Sequence, residues 1–188
     1  MQADGRCPRC YLAPWPFAHA SSGVHYGGAA ATALVRFKHG RQDIARALIP
    51  LALAAVATTL GALPEEKRRV IVPVPLHGRR MRARGFNQAA ELARGAARLL
   101  PSSLRCEVDL WSLVRVRDGA HVAHESFAAR HHRAKDAFAV RHTARVLGRH
   151  VVLFDDVLTT GATSCACAEV LLNAGAKSVS VATVARAL

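Results

Sequence analysis

Aromatic side chains make up only 5% of this 188-residue chain, whereas 51% of it is apolar and alanine supplies much of that share. So few rings argue against an extended base-stacking platform for single-stranded nucleic acid. The mixture suits helices packed closely on a sheet better than an all-β sandwich. A disulfide framework is also missing. Cys7 and Cys10 form one CxxC, Cys165 and Cys167 stand close together, and Cys106 is alone. An odd cysteine count without a secretory signal points to a reducing cytoplasm as the expected location. There is no internal repeat.

Acidic residues are few: 13, against 26 Lys and Arg, which gives a formal charge of +13 and a pI near 10.9. Such a surface attracts polyanions, whether nucleic acid, anionic lipid or a small phosphorylated ligand, and charge alone does not choose among them. The basic residues cluster at Arg79–Arg84 and between Arg130 and His150. One apolar run, Ala47–Leu63, is 17 residues without a charge, close to the lower limit for a membrane span. It is largely Ala and Thr, contains Pro50 and follows Arg46, so a buried helix is expected and no membrane span.

The first two dozen residues, rich in Pro, Gly, Ser and Trp, read as an extended or ribbon-like appendage. Helices are expected over Gly28–His39 and Gln42–Leu60, with a kink at Pro50. Val70–Val74 reads as a buried strand, followed by a loop rich in Gly and Arg and a helix over Phe86–Leu100. Val108–Val116 reads as one strand, Arg117–Lys135 as a basic surface loop or short helix, and Ala137–Val140 as a brief strand. Val151–Phe154 is a buried strand leading through a turn into a helix that ends at Asn173, with Gly175 as its C-terminal cap. Ser178–Val184 supplies a last strand. This alternation indicates an α/β fold, a mostly parallel sheet flanked by helices on both faces.

The most specific segment is VVLFDDVLTTGAT, Val151–Thr163. Its apolar strand delivers Asp155 and Asp156 to the carboxyl end of a parallel sheet, where open α/β sheets bind ligands. Val157, Leu158, Thr159, Thr160, Gly161, Ala162 and Thr163 must then turn into a helix, and Gly161 permits backbone angles closed to other residues. The threonine hydroxyls and the amides at the helix start suit a phosphate dianion. Two adjacent carboxylates suit the vicinal hydroxyls of a ribose and help retain Mg²⁺. The plainer alternative is a strand–turn–helix whose acids merely cap the helix.

A second segment, Val72–Ala93, leaves a buried strand for a loop at Pro75, Leu76, His77 and Gly78. Arg79, Arg80, Arg82 and Arg84 follow, and guanidinium groups match phosphate oxygens bidentately.

VVLFDDVLTTGAT resembles the 5-phosphoribosyl-1-pyrophosphate (PRPP) motif of type I phosphoribosyltransferases. With PVPLHxRRxRxRGFNQAxxLA and AGAKSVSVATVAR, the chain from about Gly23 to its end resembles the ComF family, which includes GntX-like proteins. The resemblance implies a type I phosphoribosyltransferase fold over 23–188, preceded at 1–22 by a short remnant of an N-terminal zinc ribbon or an extended arm. It places Asp155 and Asp156 on the ribose hydroxyls, Val157–Thr163 around the 5-phosphate and Pro75–Gly78 on the pyrophosphate, with Mg²⁺ accompanying PRPP. Cys7 and Cys10 resemble the last CxxC of the ribbon and form half of a zinc site, so Zn²⁺ is expected only if the ribbon is completed elsewhere. His19 and His25 are the nearby residues that would complete it within this chain, and the chain is expected to begin inside the ribbon.

The chain departs from the family in the block before the PRPP strand. Val122 falls roughly where a glutamine is usual, Arg133 replaces Asn, and Asp136 replaces Gly. His121, His124, His131 and His132 read as part of an exposed basic loop rather than a metal site. Thr159 stands where purine-salvage relatives carry an aspartate, which disfavours a purine acceptor handled through that carboxylate. The expected function is phosphoribosyl transfer from PRPP to an unknown nitrogen acceptor, nucleobase-like in kind, linked to DNA uptake in natural competence. The alternative is a non-catalytic scaffold with the PRPP fold that binds single-stranded DNA, a helicase or other competence proteins.

Overall fold

The structure is a computed structural model and describes residues 15–63, 68–117 and 136–187. Cys7, Cys10, His121, Val122, His124, Arg130, His131, His132 and Arg133 lie outside the described residues.

Among the described residues five parallel strands form the central sheet in the order β1-β7-β6-β2-β3. They are β1 (Ala20–His25), β2 (Arg69–Pro73), β3 (Glu107–Val108), β6 (His150–Leu158) and β7 (Ser178–Arg186). A separate antiparallel ribbon pairs β4 (Leu113–Arg115) with β5 (Phe138–Val140). Among the described residues the α-helices are α1 (Gly28–Lys38), α2 (Ala45–Gly61), α3 (Gly78–Arg84), α4 (Gln88–Leu99) and α5 (Ala162–Asn173).

Side chains alternate across a strand, so β6 serves two cores at once. Val152 and Phe154 join Phe37, Leu48, Val56 and Leu92 on the face covered by α1, α2 and α4. Val151 and Leu153 join Leu113, Phe138, Cys167 and Leu171 on the face of α5 and the ribbon. The α/β architecture with both faces covered is therefore the one the sequence pattern anticipates.

Several elements differ from expectation. Ala20–His25 is not merely extended: it forms the sheet edge beside β7. Gly23 makes this possible, because a Cβ there would strike the Leu51 carbonyl of α2. The strand expected over Val108–Val116 is broken. Buried Asp109 accepts hydrogen bonds from the backbone N–H of Trp111 (2.9 Å) and Ser112 (3.3 Å) and from the Ser112 hydroxyl, turning the chain between β3 and β4. The Gly- and Arg-rich loop is helix α3, because Arg, Met and Ala are strong helix formers. His77 caps its start, and Gly85 ends it at φ +78°.

The segment Gln42–Gly61 is long and apolar enough to cross a membrane by length and composition. Here α2 runs on through Pro50 and buries Leu48, Ala52, Ala55, Val56, Thr59 and Leu60 in the core. Gly175 ends α5 as anticipated, at φ +90°, with the Ala176 N–H reaching the Leu171 carbonyl at 3.1 Å.

Candidate functional site

Two loops leave the carboxyl ends of adjacent strands. β2 and β6 are in register to Pro73 and Phe154, and the Val74 N–H donates to the Phe154 carbonyl at 2.8 Å. Parallel neighbours lie about 4.8 Å apart, so Pro75–Gly78 begins beside Asp155 and Asp156. The structure thus brings together the two segments singled out in the sequence.

β6 continues beyond Phe154. Val157 pairs with Ala185 and Leu158 with Arg186, which places Asp155 and Asp156 inside the strand near its end. The turn proper is Thr159–Gly161, shorter than the sequence suggests. Gly161 adopts φ +79°, and α5 starts at Ala162. The Thr160 hydroxyl accepts from the Ala162 N–H at 3.4 Å. The first intrahelical bond joins the Cys165 N–H to the Gly161 carbonyl at 2.8 Å, so the amides of Thr163 and Ser164 precede it, at the positive end of the helix dipole. Thr159 is exposed, Thr160 and Thr163 half-buried.

The acid pair is electrostatically loaded. Asp155 Oδ1 accepts the Asp156 backbone N–H at 2.8 Å. Burial, with the Asp156 carboxylate beside it, pushes the Asp155 carboxyl up to about 7. Asp156 is held by Lys38, whose Nζ lies 2.8 Å from Oδ2. Lys38 ends α1, and the residue before it, Phe37, is buried against Phe86 with ring centroids 5.2 Å apart. The sequence offers no local signal for Lys38, because nothing but the tertiary fold brings it to the acids.

On the other loop, Arg79 and Arg82 lie exposed on one stripe of α3, while Arg80 and Arg84 share a half-buried second stripe. Arg84 is engaged: its guanidinium donates to Gln88 Oε1 at 3.1 Å. The RGFNQ block is a structural joint. Gly85 ends α3, Phe86 enters the core, and Asn87 Oδ1 caps α4 by accepting from Ala89 N–H (3.0 Å) and Ala90 N–H (3.4 Å). Asn87 Nδ2 also donates to the Val74 carbonyl at 3.0 Å. Asn87→Ala removes the cap and leaves that carbonyl short of a donor. It is expected to cost about 2 kcal/mol, seen as a lower urea midpoint at unchanged slope.

The other sequence candidates do not join the site. His19 and His25 stand six residues apart on an extended chain, roughly 20 Å at about 3.3 Å per residue, so they cannot share one tetrahedral zinc. Cys165 and Cys167 are packed in α5, and burial pushes Cys165 up to about 12 and Cys167 well above the usual thiol range. Burial likewise raises Cys106 to about 11. Cys165 and Cys167 belong to the buried core, and Cys106 packs against it.

Residues 65–188 match the family described as Phosphoribosyl transferase domain. The DNA utilization protein YhgH of Escherichia coli strain K12 is 35% identical over 187 residues, 97% of this chain and 78% of that protein. Its counterpart in Salmonella typhi is 37% identical over 185 residues, with the same coverage. Among solved structures, hypoxanthine-guanine phosphoribosyl transferase of L. donovani aligns with a TM-score of 0.40 at 16% identity, covering 72% of this chain and 71% of that one.

Proposed function

This chain belongs to the phosphoribosyl transferase domain family, in its ComF-like branch, and on that premise we propose that it binds PRPP and transfers its phosphoribosyl group to a nitrogen nucleophile. The observation that supports the reading is that two loops leave the carboxyl ends of the adjacent strands β2 and β6 beside an acid pair. In the reaction, a nitrogen lone pair attacks ribose C1, the bond from C1 to the pyrophosphate oxygen breaks, and the nitrogen releases its proton.

Thr159–Thr163 hold the 5-phosphate with amides and hydroxyls at the start of α5. Asp155 and Asp156 accept hydrogen bonds from the ribose hydroxyls, and Lys38 fixes Asp156 through one of its two oxygens. Pro75–Gly78, with Arg79, Arg80 and Arg82, holds the departing pyrophosphate. Catalysis then rests on positioning and on stabilising the leaving charge. The acid pair offers the hard oxygen donors Mg²⁺ takes, and among the described residues no larger cluster of metal ligands exists. Asp155 and Asp156 would hold Mg²⁺ brought in with PRPP, and the ion would supply neutralisation of pyrophosphate charge. Thr159 brings no carboxylate to the acceptor side, which disfavours a purine handled by that route.

Incubation with PRPP, Mg²⁺ and a panel of nitrogen bases is expected to release pyrophosphate above the hydrolysis rate with at least one of them. Changing Arg79, Arg80 and Arg82 together to Ser is expected to lower that release on the order of a hundredfold or more. Release that no base stimulates would contradict transfer.

The curated relatives' name and the charge of +13 favour a second reading. In it, the protein binds single-stranded DNA or a competence partner in the cytoplasm without transfer chemistry. DNA affinity should then fall steeply with salt, since each phosphate neutralised releases counterions. Salt-insensitive binding, or none at low salt, counts against it.

A further inference from the structure

The turn that would receive the 5-phosphate is walled by a residue from far upstream. A Cβ built on Gly161 would lie 2.6 Å from Cζ3 and 3.0 Å from Cη2 of Trp15, so the benzo edge of the indole rests on the glycine backbone. The indole is itself held in place. It stacks on Phe17 with centroids 5.4 Å apart and planes 30° from parallel, and Phe17 packs against the core beneath α5. The chain following Phe17 is tied to β7, Ala18 N–H donating to the Val179 carbonyl at 2.9 Å and Val181 N–H to the His19 carbonyl at 2.8 Å. Trp15 lies outside residues 65–188, the segment that matches the phosphoribosyltransferase family.

Glycine is the residue with the widest choice of backbone angles, and a loop that must order itself on binding loses affinity by that cost. At 161 the φ of +79° needs glycine, and the missing side chain is what lets the indole approach. We propose that Trp15 is a positioning residue of the donor site, its indole bracing Gly161 so that the Thr159–Gly161 turn is pre-set for the 5-phosphate. The segment that leads into the fold is then part of the binding machinery rather than an appendage to it. This inference rests on the donor-site reading above.

Ribose 5-phosphate and inorganic pyrophosphate probe the two ends of the site separately. In calorimetry on the full chain, Trp15→Ala is expected to weaken ribose 5-phosphate binding about tenfold while pyrophosphate affinity stays within about twofold, and Trp15→Phe to recover most of the loss. The sequence holds two tryptophans, so Trp111→Phe, at a position 65% exposed on the β3–β4 turn, leaves Trp15 as the sole emitter. Its emission should shift on adding ribose 5-phosphate and not on adding pyrophosphate. Equal loss at both ends, or unchanged ribose 5-phosphate affinity, overturns the proposal. If Trp15→Ala fails to fold, unchanged emission in the single-tryptophan protein overturns it alone. A wild-type protein that does not bind ribose 5-phosphate fails the donor-site reading itself, and this inference with it.

Discussion

Replacing both Asp155 and Asp156 by Asn is expected to weaken PRPP binding at least a hundredfold at pH 8, measured by calorimetric titration. Each carboxylate would accept a hydroxyl of the ribose, and hydrogen bonds to charged groups contribute about 1.5–3 kcal/mol apiece, so losing two reaches that scale. Asparagine keeps the shape and one acceptor, which makes the comparison a test of charge rather than of packing. The fold is expected to survive, because the strand carrying the pair is secured by its ladder with β7 as far as Leu158 and by the apolar residues preceding it. Undiminished binding by the double variant would remove the acid pair from the site.

Asp155→Asn alone is expected to stabilise the protein above neutral pH. The Asp155 carboxyl is pushed up to about 7, first by burial and then by the Asp156 carboxylate, with the hydrogen bond from the Asp156 backbone N–H and then Lys38 partly offsetting both. The unfolded chain gives the same group an ordinary value near 4. Between about pH 4 and pH 7 the native state therefore holds a proton the unfolded state has released, and stability falls as pH rises through that window. Above about 7 both states are ionised and the penalty is constant. Asparagine does not ionise, so the variant should lack this slope. The gain at pH 8 relative to pH 5 is on the order of 2 kcal/mol, roughly 4–8 °C in melting temperature for a domain of this size. Parallel melting curves for the two proteins across pH 5–8 would contradict the strained carboxyl. The two outcomes belong together: under the proposed reading, the carboxyl that costs the fold stability is one that would bind the ribose.

What the sequence makes legible is the chemistry written in consecutive residues. Val151–Phe154 announces a buried strand, two acids follow it, and Gly161 marks the turn that α5 completes. Gly175 marks the end of that helix, and the alternation of apolar runs gives the parallel sheet with both faces covered. The parts that stay hidden depend on partners distant in the chain. The last residues of β6 are not apolar enough to read as strand, and they extend because Ala185 and Arg186 of β7 complete the ladder. Asp109 reads as an ordinary polar residue within a strand until its carboxylate is seen folding back on Trp111 and Ser112. Arg79–Arg84 reads as a charged loop until His77 and Gly85 are recognised as its caps. Lys38 and Trp15 carry no motif, being 118 and 146 residues from the groups they meet, Asp156 and Gly161. The family-specific RGFNQ block is legible as a signature, and in the structure it ties the chain after β2 to α4 through Asn87 and Val74.

The donor site itself is tested most directly by titrating PRPP with Mg²⁺ into the wild-type protein at pH 8. One equivalent should bind per chain with a dissociation constant tighter than roughly 100 µM, in the range enzymes show for such substrates. Ribose 5-phosphate and pyrophosphate should each compete for that site. Failure to saturate at millimolar PRPP, or saturation that neither fragment displaces, would contradict the assignment of Val151–Thr163 and Pro75–Gly78 as the two ends of one PRPP site.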